Sequence, residues 1–134
     1  MELEVCHLVK IVVKAKELGE WSHLPPPDKI RYKELICPDS VGSKLLMGIA
    51  ELDPGEKHMP HYHDQEEAFI IFDGEALITV DDETVNGEPG MAFYCPPGSQ
   101  HSMSNSGKKK LLLCYAFPSK AKRFTSRVKR STKF

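Results

Sequence analysis

The chain has 134 residues, a formal net charge of -1 and 40% hydrophobic residues, which predicts one soluble globular domain and excludes two independent cores. No apolar run approaches the roughly 20 residues that cross a bilayer, so a transmembrane segment is not expected. The N-terminus has early acidic residues and an interrupted apolar stretch, which is not the pattern of a signal peptide. Its four cysteines, at positions 6, 37, 95 and 114, are far apart without a C-x-x-C pair, which favours reduced thiols in the cytoplasm.

The charge is spread unevenly along the chain. Residues 51–90 carry 12 acidic residues against one lysine, whereas residues 120–134 carry seven basic residues and no acidic one. The acidic middle favours the binding of a cation and disfavours nucleic acid as a partner. We expect the basic C-terminal tail to be a solvated or frayed terminus, with contact to an anion, a membrane surface or an acidic partner as the alternative.

The first thirty residues give weak signals. Residues 1–20 mix β-branched residues with a helix-like stretch, and a strand and a short helix both remain open. Three prolines at 25–27 predict an extended connection. Trp21 just before them is interpreted as a packing anchor, with a lid over one end of the fold as the alternative.

From residue 30 the pattern predicts strands. Segments that alternate in polarity or are uniformly apolar lie at 30–36, 44–52, 66–72, 75–80, 83–86, 91–95 and 110–117. Residues 37–42 are predicted to form a loop, and Gly55 in the turn after residue 52 is expected to take a backbone conformation that other residues resist. About nine short strands with little helix indicate an all-β sandwich or barrel.

One segment gathers three potential metal ligands within seven residues. Alternate side chains of a strand point to one face, so we expect His61 and His63 to face the same way, and Glu67 shares their parity. His58 lies three residues before His61 in a predicted turn, and we expect it to be exposed rather than a ligand. Tyr62 is expected to face away from the site.

A second segment, residues 90–105, supplies His101 as the fourth potential ligand. Neutral imidazoles and one carboxylate suit a divalent transition metal (Mn, Fe, Ni, Zn or Cu), and four protein ligands leave coordination positions open for water or substrate. Asn105 is expected to tie down a turn through side-chain bonds to the backbone. Cys95 is interpreted as a small apolar filler, with a reactive thiol as the alternative.

Ten residues of these two segments match, without a gap, both signature motifs of the cupins: Gly55, His61, His63, Glu67, Gly74, and Gly90, Pro96, Gly98, His101, Asn105. The chain therefore resembles a small single-domain metal-binding cupin over about residues 44–117. The resemblance implies an all-β fold, a single-domain jelly-roll β-barrel of antiparallel strands, with the metal held inside by the two histidines of the first motif, Glu67 and His101. Residues 30–118 would form the barrel, residues 1–29 an N-terminal extension packed on it or on a dimer partner, and residues 119–134 a basic tail.

The predicted strand at 66–72 is apolar on both faces. Glu67 is followed by Phe69 and Ile71 on one side, whereas Ala68, Ile70 and Phe72 occupy the other. A half-solvated strand alternates more cleanly, so the second face should be covered by the N-terminal segment or by another subunit. Because cupins commonly pair, we expect a homodimer.

The predicted substrate pocket has an apolar floor. Phe69 and Ile71 share a face with the glutamate ligand, and Met47 and Phe93 are expected to complete the wall. Tyr94 and Tyr115 are weak candidates for a catalytic base. The sequence is also similar to bacterial dimethylsulfoniopropionate lyases, which carry a tyrosine base two residues after the ligand glutamate, but Phe69 at that position argues against this activity.

Two classes of function are consistent with such a site. The first is a metal-dependent enzyme of lyase, isomerase or dioxygenase type that acts on a small carboxylate or a sugar-derived substrate. The second is a non-catalytic module that binds or stores a small ligand with its metal. A structural metal in a regulatory or interaction protein is a third, weaker possibility.

Overall fold

The computed structural model describes residues 12–119 and 129–130. The strands of this part, in chain order, are β1 (Ser22–His23), β2 (Arg31–Ile36), β3 (Leu45–Leu52), β4 (Lys57–Tyr62), β5 (Glu67–Asp73), β6 (Ala76–Val80), β7 (Glu83–Gly87), β8 (Ala92–Cys95), β9 (His101–Asn105), β10 (Leu111–Pro118) and β11 (Lys129–Arg130). Its helical residues are a 3₁₀ turn at Ala15–Glu17 and a single α-helical turn at Pro38–Val41. The all-β class is confirmed.

The strands form two antiparallel sheets. The six-stranded sheet has the order β1-β2-β3-β10-β5-β8, and the five-stranded sheet has the order β11-β4-β9-β6-β7. The jelly-roll prediction is confirmed, but in the described part of the chain no ladder joins the sheets into a closed barrel. The chain instead crosses from one sheet to the other through turns, as at residues 63–66 between β4 and β5.

The core lies between the two sheets. In β5 and β10 buried and outward-facing residues alternate, as expected for strands with one face packed against the opposing sheet. Gly48 extends this inner face on β3, and a Cβ there would lie 2.5 Å from both the Lys33 carbonyl oxygen and the Tyr115 hydroxyl oxygen. This close approach requires glycine. The fully buried apolar side chains include Leu46, Leu52, Ile71, Ile78 and Leu111.

Two local predictions need correction. Residues 37–42 contain a helical turn rather than only a loop, because Pro38 occupies its first position and Gly42, with φ of 72°, ends it in the left-handed conformation. The proline run is not extended, since Asp28 N donates a hydrogen bond of 3.2 Å to Pro25 O and closes a turn. Gly55 has φ of 83°, which confirms the conformation expected for it.

The outer face of β5 is exposed in the described structure. Ile70 and Phe72 have exposed fractions of 36% and 57%, so the cover predicted for this face does not come from residues 12–119. Residues 1–11, part of the predicted N-terminal extension, lie outside the described residues. Between residues 12 and 29, β1 pairs with β2, and the Lys33 ammonium group lies 5.0 Å from the centre of the Trp21 ring.

Part of the basic tail is placed on a sheet. Lys129 pairs with Tyr62, and Arg130 pairs with His61, so β11 forms the edge next to β4. These two residues are therefore paired at a sheet edge rather than frayed, while residues 120–128 and 131–134 lie outside the described residues. Among the helices of the described residues, none has the length and apolar character that a membrane span requires.

Candidate metal centre

Four buried side chains converge on one point. One ligand atom each from His61, His63, Glu67 and His101 lies within 4.8 Å of the others. His61 on β4 and His101 at the start of β9 are directly paired across the five-stranded sheet. Glu67 begins β5 in the opposite sheet, and His63 lies in the connection between β4 and β5. The strand parity predicted for Glu67 thus selects the residue that the structure brings to the group, although β4 ends before it.

Each of the three histidines is oriented by a backbone carbonyl two residues away. The Nδ1 atoms of His61, His63 and His101 lie 2.7, 2.8 and 3.2 Å from carbonyl oxygens of residues 59, 65 and 99. A carbonyl only accepts, so each Nδ1 carries a proton and each Nε2 is the nitrogen that faces the centre. An Nε2 atom offers a lone pair to a metal once its own proton has left. This arrangement orients metal-bound histidines in many proteins.

Glu67 is the only carboxylate of the group. Its Oε1 lies 2.9 Å from His63 Nε2 and 3.3 Å from His101 Nε2. Burial by itself would raise the pKa of Glu67, but the close approach of the His101 and His63 rings outweighs it and holds that pKa far below the ordinary value. The carboxylate is therefore ionised at neutral pH and supplies the negative charge of the site.

The donors fit a divalent cation. His61 Nε2 is buried and has no hydrogen-bond partner among the described residues. Burial, with His58 and His101 nearby, lowers the pKa of His61 well below its usual value, so the ring is neutral and able to bind metal. Ligands at about 2.1 Å from one ion are spaced about 3 to 4 Å apart, a spacing that the group reaches with small adjustments.

His58 departs from the prediction. It was expected to be exposed, but it is buried, and its ring centre lies 4.1 Å from that of His61. Its Nδ1 is 2.9 Å from Oδ2 of Asp28, whose side chain is also buried. Sequence reasoning missed Asp28 completely. The one local signal is Pro60, which has no N–H for a strand ladder and so favours a bulge before His61.

A small cavity adjoins the donors. Its volume is about 20 Å³, enough for about one water-sized group, since a water needs roughly 10–15 Å³. Four hydrogen-bonding residues and four apolar ones line it: Tyr32, His58, Glu67 and Tyr115, with Ile30, Ala50, Met103 and Leu113. Polar and apolar surfaces therefore meet next to Glu67.

The four residues predicted to line the pocket do not all lie on the same face of the six-stranded sheet. Phe69 and Ile71 point inward, and Phe69 stacks on Phe93 with ring centres 5.2 Å apart. Met47 is half-buried on the face of β3 opposite to the buried Leu46, so the structure does not bring it to the donors. None of these four residues lines the small cavity.

The two tyrosine candidates also differ. Tyr94 is 55% exposed and donates a 2.7 Å hydrogen bond to Glu66, which raises the pKa of Tyr94 and keeps it outside the site. Tyr115 lines the cavity, and burial, with Glu34 and Glu67 nearby, raises the pKa of Tyr115 well above its ordinary value. Its hydroxyl is thus protonated at neutral pH.

Two other side chains behave as expected. Cys95 is fully buried, and burial raises the pKa of its thiol to about 12, in keeping with a core filler. Asn105 donates to the carbonyls of Leu52 and Lys109 and accepts from the Gly107 N–H. It therefore ties down the turn after β9, as predicted.

The two facing sheets and the buried donors define a metal-binding β-sandwich of the jelly-roll type. The model of the cupin domain matches residues 48–117, and the chain belongs to the cupin family. It is 28% identical over 96 residues to dimethylsulfoniopropionate lyase DddW of Ruegeria pomeroyi, which covers 71% of this chain and 62% of that protein. The chain thus spans under two thirds of the length of this relative.

Solved structures show the same fold. Polyketide cyclase RemF from Streptomyces resistomycificus superposes with a TM-score of 0.75 at 16% identity and covers 93% of this chain and 88% of that one. A predicted oxalate decarboxylase from Thermotoga maritima gives a TM-score of 0.71 at 22% identity, covering 81% and 98%. At these identities the likeness supports the fold alone.

Replacement of His61 by alanine is expected to strip the metal. Loss of a direct ligand should weaken metal binding by at least about 100-fold, since even residues behind the ligands contribute about 10- to 100-fold. Elemental analysis of the purified variants measures this. His23→Ala, at an exposed histidine, is the matched control and should keep wild-type content. Full metal content in both His61→Ala and His101→Ala would show that the ligands are assigned wrongly.

The metal-free protein is expected to lose stability as the pH falls below about 6.5, the ordinary histidine pKa. The folded state keeps His61 neutral because the pKa of the buried ring is lowered, whereas the unfolded chain takes up the proton. Stability from this group is thus fully present above pH 6.5 and decreases below it. Thermal denaturation with a chelator at pH 7.5 and 5.5 measures the effect. A His61→Gln variant should show a smaller decrease, and an equal one would contradict the assignment.

Proposed function

We propose that this cupin is a divalent-metal-dependent enzyme of lyase, isomerase or dioxygenase type that acts on a small carboxylate or sugar-derived substrate. The observation that carries the proposal is the convergence of three imidazoles and one carboxylate within 4.8 Å, beside a cavity with polar side chains. A bound dication would keep about one net positive charge, which polarises a carbonyl or carboxylate and lowers the pKa of a bound water or a neighbouring C–H.

The chain's own residues have separate roles in this proposal. His61, His63, Glu67 and His101 hold the metal. Tyr115, protonated at neutral pH, acts as a hydrogen-bond donor toward the cavity rather than as a base. Phe69, two residues after Glu67 on β5, faces inward and stacks on Phe93, which adds apolar surface to the core next to Glu67.

The relatives support enzymatic chemistry only in general terms. DddW is named as a lyase. Phe69 occupies the position where the resemblance places the tyrosine base of dimethylsulfoniopropionate lyases, and it is buried against Phe93. We therefore do not assign cleavage of dimethylsulfoniopropionate to this chain.

A non-catalytic binding or storage role is the alternative. The small cavity favours it, because a volume of about 20 Å³ admits little more than one small group beside the metal. A protein of this kind would hold a small ligand tightly and return it unchanged.

Loading the protein separately with Mn, Fe, Ni, Zn and Cu, then screening oxygen uptake, elimination and isomerisation, tests the proposal. We expect about one metal per chain and turnover in one reaction class with small hydroxylated or keto carboxylates or sugar derivatives. His61→Ala should abolish this turnover, whereas His23→Ala should not. Tight ligand binding without turnover for any metal would replace the proposed enzyme with the storage alternative.

The exposed outer face of β5 supports the proposal that the protein forms a homodimer. Ile70, Phe72 and Tyr94 are exposed on the outer side of the six-stranded sheet, and a second copy of the chain would bury them. The free thiols of Cys37, Cys95 and Cys114 are in keeping with the reducing cytoplasm proposed as its location.

Phe72→Lys is expected to shift the protein from dimer to monomer, because a charge would be buried in the proposed interface. Leu77→Lys is the matched control, since Leu77 is 40% exposed on the five-stranded sheet. Sedimentation velocity at micromolar concentration distinguishes the two states. A wild-type monomer, or a Phe72→Lys dimer of unchanged affinity, would contradict the dimer through this face.

A further inference from the structure

The structure assigns a ligand-contacting role to His58, a residue that is not one of the four metal ligands. We propose that His58, held in place by Asp28, contacts the metal-bound ligand through Nε2 and selects ligands with a hydroxyl group on the carbon next to the metal-bound carboxylate or carbonyl. The substrate class would then be 2-hydroxy acids and related hydroxylated carbonyl compounds. This inference rests on the proposed metal centre at His61, His63, Glu67 and His101.

A bulge in β4 turns His58 toward the interior. Strict alternation would place His58 and His61, three residues apart, on opposite faces of the strand. The pairing of β4 with β9 shifts register between these two residues, and Pro60 within the shift has no N–H to offer the ladder. Both rings therefore point inward, with centres 4.1 Å apart.

Asp28 fixes both the bulge and the ring. Its Oδ2 accepts hydrogen bonds from Met59 N at 2.8 Å and from His58 Nδ1 at 2.9 Å, and its Oδ1 accepts one from Ile30 N at 3.0 Å. The Met59 carbonyl in turn lies 2.7 Å from Nδ1 of the ligand His61. One carboxylate thus orients the metal ligand through Met59 and orients His58 directly.

The hydrogen bond between His58 and Asp28 leaves the other ring nitrogen of His58 available to a ligand. The Nδ1 atom is engaged by Asp28, so Nε2 is the nitrogen that remains for a further contact. His58 and Glu67 both line the 20 Å³ cavity, which places the ring beside the metal-binding donors.

The cavity has room and partners for a hydroxyl group. Tyr32 and Tyr115 line it together with apolar side chains, so its walls can contact one small polar group. A hydroxyl group both donates and accepts and can therefore bond to an imidazole nitrogen. A site that hydrogen-bonds a substrate hydroxyl rejects the analogue without it, because its buried polar groups would be left unpaired.

Glycolate and acetate test the inference, since they share a carboxylate and differ by one hydroxyl group. Both are titrated into the full-length protein loaded with Co²⁺, and visible absorption of the metal reports binding. His58→Asn keeps an amide near Nδ1, able to donate to Asp28, but has nothing near Nε2. His58→Gln places an amide near Nε2 instead, and His23→Asn is the control at an exposed histidine.

We expect the preference of wild-type protein for glycolate over acetate to fall about tenfold in His58→Asn, the effect of one lost hydrogen bond, with Co²⁺ content unchanged. The His58→Gln variant should retain at least half of the preference for glycolate over acetate on a logarithmic scale. The His23→Asn variant should retain the full preference. A His58→Asn preference within twofold of wild type would overturn the inference. Loss of Co²⁺ in His58→Asn would also overturn it, since His58 would then serve to build the metal site.

The results of this experiment distinguish a failure of this inference from a failure of the proposed function. If wild-type protein does not bind Co²⁺ at one ion per chain, the metal centre itself fails. If it binds the ion and both acids perturb the spectrum with the same preference in every variant, the metal centre stands and only the role of His58 is lost.

Discussion

The arrangement of the metal centre is governed by the free-energy cost of burying four polar side chains close together. His61, His63, Glu67 and His101 are removed from water, and a buried carboxylate or imidazole without compensation is strongly unfavourable. Backbone carbonyls satisfy each Nδ1, and the remaining nitrogens gather around one carboxylate. The buried Nε2 of His61 has no hydrogen-bond partner among the described residues, and a cation would satisfy it, so the centre is more favourable with a metal than without it.

The two packed sheets hold the four donor side chains at defined positions relative to one another. His61 and His101 face each other across one ladder, while Glu67 begins a strand of the opposing sheet. Relative motion of the sheets would separate the donors, and the packed side chains between the sheets oppose such motion. The N-terminal region contributes as well, because Asp28 binds β4 at Met59 and His58. The site therefore includes a residue from outside the segment that carries the family motifs.

Local sequence signals predict the four donors that the structure brings together and the strands β2, β3, β5, β6, β7, β8 and β10, but not β1, β9 or β11. The four donors follow from motif spacing, and Gly55 follows from its position in a turn. Met47 was misplaced because residues 44–52 are apolar at both parities, so no alternation indicates which face is buried. His58 departs from its prediction because residues 57–62 form a strand with a register shift rather than the turn expected before His61.

Other features could not be predicted because they depend on contacts between distant parts of the chain. Asp28 lies thirty residues before His58, and no pattern in the sequence links them. The absence of a ladder between the two sheets in the described residues is likewise a property of strand pairing across the whole fold. The expectation of a closed barrel came from the family resemblance rather than from any residue.

The short strand β11 has a consequence for how the protein behaves at high concentration. An edge strand with free N–H and C=O groups is a template to which a strand of another molecule can add. By pairing with residues 61 and 62, the C-terminal segment occupies that template on the strand that carries His61. Removal of this segment would therefore open a route to intermolecular sheet growth next to the metal ligands, and aggregation would begin at the part of the fold that function needs most.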